Sequence, residues 1–167
     1  MAGTIKARKA DSIADEIDAL DRQIRERAWE LSRTPHRRSD GAAADWLEAE
    51  RDVMWRPAVE LKQEGRDFIV SAAIAGIAPE QVDLTLTPTD LLLRAEIEHR
   101  HAAADGSVHI CEFHRGRLFR AIRFPAPIQP GKAKASLTNG LLTVRVPMQE
   151  TAATASGKPA RRPARKS

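Results

Sequence analysis

His99, His101, His109, Cys111 and His114 lie close together in the sequence, and neutral imidazole with thiolate is the ligand set that zinc prefers. The spacing does not complete a site. His109 and Cys111 are two residues apart and point the same way in extended chain, but no second pair at C-x-x-C or H-x-x-x-H spacing supplies the remaining ligands. A structural or solvent-exposed set of histidines is expected instead, with no metal and no cofactor. Cys111 would need a basic pocket to act as a nucleophile, and it reads equally well as a small apolar strand residue. There is no G-x-S-x-G and no P-loop, and the carboxylates are scattered. The chain is therefore expected not to be an enzyme.

The net charge of +4 suggests a polyanion partner until it is divided by region. Residues 1–54 hold ten basic and twelve acidic side chains, residues 55–150 twelve and eleven, and residues 151–167 five and none. The body is near neutral, so its overall charge steers no partner. The run Lys158 to Lys166 could neutralise a few phosphates, giving weak, salt-sensitive and sequence-blind nucleic-acid contact. It carries no aromatic residue for base stacking, and a solubilising arm is the alternative.

Arg120 is the other residue with chemistry to explain. Strand alternation puts it on the face of Leu118, Ile122 and Phe124, where an unpaired guanidinium is costly. It needs a carboxylate or carbonyl partner, unless it sits at an edge and snorkels to water.

The elements that position these residues can be read from periodicity. Length fits one domain with an appendage: 167 residues, 42% hydrophobic, only 4% aromatic, so the core is mostly aliphatic. A single cysteine excludes an intrachain disulfide and points to a reducing cytoplasm. No apolar run is long enough to span a bilayer. Ile17, Leu20, Ile24, Ala28 and Leu31 form one helical stripe, with Ser12 as N-cap and Arg33-Thr34-Pro35 as the stop. A second helix runs to about Met54 with Trp46, Leu47, Glu50 and Val53 on successive turns. Trp29 and Trp46 are expected in the core.

After Trp55 the period changes to two. Alternating sets begin at Val59, Phe68, Val82, Leu91, Leu118, Ala133 and Leu142, punctuated by turn residues. Asn139-Gly140 is the strongest hairpin signal, because a type I′ turn needs positive φ at both positions. The expected architecture is mainly β, an immunoglobulin-like antiparallel β-sandwich over residues 55–148. It is preceded by a flexible segment 1–10 and a two-helix hairpin 11–54, and followed by a disordered basic tail 149–167.

Four motifs in register carry a resemblance. They are Trp55-Arg56-Pro57-Ala58-Val59; Ala75-Gly76-Ile77 followed by Val82-Asp83-Leu84; the segment Glu112 to Pro125; and Ala135-Ser136-Leu137-Thr138-Asn139-Gly140-Leu141-Leu142-Thr143-Val144-Arg145-Val146-Pro147. The last is similar to the pattern A-x-x-x-N-G-V-L-x-V-x-x-P. Together they resemble the α-crystallin domain of the small heat-shock proteins. The helical hairpin resembles a short bacterial domain of unknown function, which suggests a bacterial source.

The resemblance implies an ATP-independent chaperone, a holdase of the stress response that binds partly unfolded proteins and prevents their aggregation. It places a client-binding groove between the strand of Val82, Leu84 and Leu86 and that of Ala133, Ala135 and Leu137, open at the sheet edge. It implies a homodimer formed by strand exchange, with Val108, His109 and Ile110 in the exchanged strand and Arg120 paired at or near the subunit interface. Members of the family carry an I-x-I anchor in a C-terminal extension, whereas Gln149 to Ser167 contains no Ile, Val or Leu, so a dimer or small oligomer is expected. The alternatives are a β-sandwich adaptor or co-chaperone for one partner, and a nucleic-acid-associated stress protein using the basic tail.

Overall fold

The structure is a computed structural model and describes residues 3–34, 41–97, 106–111 and 116–150. Among these residues the strands are β1 (Gly3–Ile5), β2 (Ala7–Lys9), β3 (Met54–Trp55), β4 (Val59–Glu64), β5 (Asp67–Ala73), β6 (Val82–Leu86), β7 (Asp90–Ile97), β8 (Gly116–Arg123), β9 (Lys134–Thr138) and β10 (Leu141–Pro147). The helices are α1 (Ala14–Ser32) and α2 (Ala42–Val53). The strands form two five-stranded sheets, in the orders β1-β9-β10-β5-β4 and β2-β6-β7-β8-β3. Pairing is antiparallel except for β2 with β6 and β3 with β8.

The alternation that marks the strands in sequence also builds the core. Phe68, Val70 and Ala72 from one sheet meet Leu84, Leu86, Leu91, Leu93 and Leu118 from the other, all buried, and the Phe68 and Phe124 rings lie 5.5 Å apart. The two residues Asn139 and Gly140 join β9 to β10 with φ of 52° and 75°. Both lie in the left-handed region, which asparagine and glycine tolerate best.

The run Leu91-Leu92-Leu93 is buried on both faces because the helices cover the outside of the second sheet. Leu92 and Phe119 point outward and pack against Ile13, Leu20, Ile24 and Leu31 of the α1 region and Ala49 and Met54 of the α2 region. The helices therefore share a core with the sandwich. Ser12 lies one position earlier than a true N-cap, but its hydroxyl still accepts the Ala14 N–H at 3.0 Å. Helix α2 runs directly into β3 at Met54, whose extended backbone ends the helix.

The structure departs from expectation in three places. Segment 1–10 is not free chain: residues 3–9 are β1 and β2, strands too short to show a period but held by pairing with β9 and β6. Trp29 is 60% exposed, with the Arg33 guanidinium 4.7 Å from its ring centroid, whereas Trp46 packs against the helix–sheet core. Trp29 is one position beyond Ala28 and so leaves the buried stripe, and the cation over its face makes exposure tolerable. Ile17 and Leu47 are likewise exposed, and the buried face of α2 is set by Asp45 and Ala49. The basic tail from residue 151 onward lies outside the described residues.

Candidate functional site

Strands β6 and β9 belong to different sheets but lie on the same side of the sandwich. Their apolar residues form a wall: Val82, Leu84, Leu86, Ala135 and Leu137 are buried and Ala133 is half-buried. The alternation that places them inward leaves Lys134, Ser136 and Thr138 in water. Among the described residues, no strand lies beyond β6 and β9 except those formed by residues 3–9.

That segment bridges the two sheets. Gly3, Thr4 and Ile5 stand opposite Leu137, Ser136 and Ala135, antiparallel. Ala7, Arg8 and Lys9 stand opposite Leu84, Thr85 and Leu86, parallel. The chain changes sheets at Lys6. Ile5 is 5% exposed and belongs to the sandwich core, making it the one large apolar side chain that the segment inserts. Gly3 touches Pro79, so that a Cβ added there would overlap the proline ring.

Polar groups hold the far half. The Arg8 guanidinium donates to Thr85 Oγ1 at 3.1 Å and to Asp83 Oδ2 at 3.3 Å, and the Ala10 N–H donates to the Leu86 carbonyl at 2.9 Å. Asp83 is also ion-paired with Arg94, whose second nitrogen lies 3.9 Å from Glu16 on α1. Arg8 and Asp83 are both substantially exposed, so this pair is a weak, salt-screened contact. A cleft lined by Thr4, Ile5, Lys6 and Ala7 on one side and Ala133 to Ser136 on the other remains beside the segment.

The remaining site residues lie elsewhere. Residues 106–111 contain no strand or helix and are exposed throughout, with Val108 at 45%, Ile110 at 81% and His109 and Cys111 also in water. The outer edge of the first sheet is β4, whose charged face carries Lys62–Glu64 at 2.8 Å and Arg145–Glu64 at 2.9 Å. Lys62 and Arg145 donate to Glu64 and hold its carboxyl below the usual value. Arg120 stands opposite Leu93 and is half-buried, and its Nε is buried with no hydrogen-bond partner among the described residues. His99, His101 and His114 lie outside the described residues, and among those described no group of three His, Cys, Asp or Glu could hold a metal. No described helix is long and apolar enough to cross a membrane. The segment over the groove is what sequence reasoning missed, and its only signal was Ile5 standing alone among polar residues.

Comparison with known proteins agrees with this architecture. The chain is 29% identical over 101 residues to heat shock protein 16 of Schizosaccharomyces pombe, covering 59% of this chain and 70% of that protein. It is 30% identical over 105 residues to a 17.3 kDa class I heat shock protein of Glycine max, covering 62% and 69%. The solved structure of heat shock protein 16.0 from Schizosaccharomyces pombe superposes with a TM-score of 0.54 at 23% identity, covering 65% of this chain and 77% of that one, which supports the fold. The model of the Hsp20/alpha crystallin family matches residues 60–161, a span that runs from β4 to beyond β10, and the chain belongs to that family.

Proposed function

We propose that the protein is an ATP-independent holdase that captures partly unfolded proteins and keeps them from aggregating. The observation that carries this reading is the groove between β6 and β9. It holds an extended segment, residues 3–9, through main-chain pairing on both sides and one aliphatic side chain. Any unfolded chain offers that chemistry, because it needs a strand edge and a large apolar residue and no particular sequence. Burying client surface there returns about 25 cal/mol per Å² of apolar area, and many weak contacts give breadth. Val82, Leu84, Leu86, Ala133, Ala135 and Leu137 are the client-facing residues in this reading. Val108, His109 and Ile110 are the strand offered to a second copy, and their exposure supports that role. Self-association then adds avidity.

The test is to heat an unrelated aggregation-prone protein with and without the full chain, in the absence of ATP, and to follow turbidity at several molar ratios. Suppression at near-stoichiometric ratios is expected. No suppression by a chain that circular dichroism shows to be folded overturns the holdase reading in favour of an adaptor for a single partner.

A further inference from the structure

The face of α1 turned away from the sheets carries a pattern of its own. Asp15, Ala19, Arg22, Glu26, Trp29 and Arg33 follow one another at alternating steps of four and three residues, which lines them up on one side of the helix, opposite Leu20, Ile24 and Leu31. Ala19 is half-buried and the other five are exposed; at 60%, Trp29 is the largest apolar side chain in water among the described residues. Steps of four and three are those at which one helix lies along another. Among the described residues, Asp15, Arg22, Glu26 and Arg33 form no ion pair, and the Arg33 guanidinium rests over the Trp29 ring. The helix also precedes residue 60, where the match to the family model begins, so the pattern is not explained by the sandwich.

Reversed, the stripe is its own complement. A second copy laid antiparallel sets its Arg33 against Asp15, its Trp29 against Ala19 and its Glu26 against Arg22, and twofold symmetry repeats each pair. Helix polarity alone favours acid in the first turn and base in the last. It does not call for Arg22 and Glu26 in the middle, nor for a large ring facing a small residue. We propose that the outer face of α1 docks on the same face of a second copy, antiparallel and in this register. The stripe covers about 27 Å of helix, short for a two-helix seam, and its charged pairs lie at exposed positions. The contact is therefore weak by itself and screened by salt. Joined to another contact between copies it gains from effective concentration, and two different twofold contacts on one chain link copies beyond a dimer. The seam needs no client and stands apart from the holdase reading.

The experiment uses the full chain with Cys111→Ser, so that no native thiol competes. Asp15→Cys and Arg33→Cys are made separately on that background, oxidised alone and as an equal mixture, and covalent dimer is read on non-reducing gels. The mixture is expected to cross-link at least about tenfold faster than either variant alone, because only antiparallel chains bring the two introduced thiols within disulfide reach. Sedimentation velocity over a concentration series then compares the parent chain with Asp15→Arg, Arg33→Asp and Asp15→Arg/Arg33→Asp. Each single reversal sets two repulsions where the parent has two attractions, so its association is expected to move to at least about tenfold higher protein concentration. The double reversal restores both pairs and is expected to associate as the parent does. A mixture that cross-links no faster than the separate variants overturns the seam. Faster cross-linking within one variant than in the mixture means a parallel pair and overturns the register. Single reversals that associate like the parent, or a double reversal no better than the singles, also overturn the proposal. Where a reversal variant does not fold by circular dichroism, the cross-link decides alone.

Discussion

Gly140 lies so close to Ala75 that a Cβ built on it would stand 2.9 Å from Ala75 Cα and 3.3 Å from Ala75 N. The contact ties the β9–β10 turn to the chain leaving β5, where the Ile74 N–H donates to the Gly140 carbonyl at 2.8 Å. Gly140 also has φ of +75°. Gly65, in the β4–β5 turn, has φ of +59° but nothing within 4 Å of a built Cβ. The pair separates two costs. Gly65→Ala is expected to lose about 1–2 kcal/mol, from backbone conformation alone. Gly140→Ala adds backbone overlap and is expected to lose about 2–4 kcal/mol. Urea unfolding midpoints at constant slope measure both, and equal losses would show that the Ala75 contact gives way freely.

Phe119 and Leu92 are the sheet's contribution to the helix-covered core. Phe119→Ala is expected to cost about 3–5 kcal/mol of that docking. Because the inward core is untouched, amides of α1 should lose hydrogen-exchange protection while those of β5 and β10 keep theirs. Loss of protection everywhere at once would mean that hairpin and sandwich unfold as a single cooperative unit.

Much of this architecture was legible in the sequence because the burial periods are clean. Leu142, Val144 and Val146 alternate without a break, and Asn139-Gly140 names its own turn. The segment over the groove was not legible. Gly3 to Lys9 holds one large apolar residue, and three-residue strands have no period to read, so tertiary pairing alone makes them strands. The exposure of Trp29 follows from the period itself: at about 100° per residue it lies on the side of α1 opposite Leu20, Ile24 and Leu31, and the size of a tryptophan does not override that placement. Sequence placed the alternating apolar residues of β6 and β9 but not the short strands that pair with them.

The turn before β7 should make stability depend on acid. Burial alone would push the Asp90 carboxyl up, but hydrogen bonds from Thr89, Arg123 and Thr87 outweigh it and hold the group below its ordinary value. The Thr89 hydroxyl donates at 2.6 Å and Arg123 Nε at 3.0 Å. A carboxyl depressed on folding contributes stability above its unfolded pKa, about 4, and that contribution is lost as pH falls through the lower folded value. Denaturation midpoints should therefore fall below about pH 4, and less steeply in Asp90→Ala. At neutral pH that variant is expected to be less stable by about 1–3 kcal/mol, through lost hydrogen bonds to a charged group. An acid limb identical in the variant would remove Asp90 as its source.

Arg120 gives the last prediction, and its sign depends on which state is measured. Within one chain its buried Nε–H has no partner among the described residues, a deficit of about 1–3 kcal/mol for a polar group of this kind. Arg120→Met keeps the aliphatic length and removes the deficit, so the isolated chain should be no less stable and is expected to unfold at slightly higher urea. If a second copy supplies a carboxylate or carbonyl to the Arg120 Nε–H, which has no partner among the described residues, the same substitution removes an attractive contact and weakens association. Sedimentation velocity over a concentration series should then show Arg120→Met dissociating at least about tenfold more readily, the equivalent of about 1.4 kcal/mol. Association unchanged beside unchanged or raised chain stability would make Arg120 an edge arginine whose charge reaches water, with no part in the contact between copies.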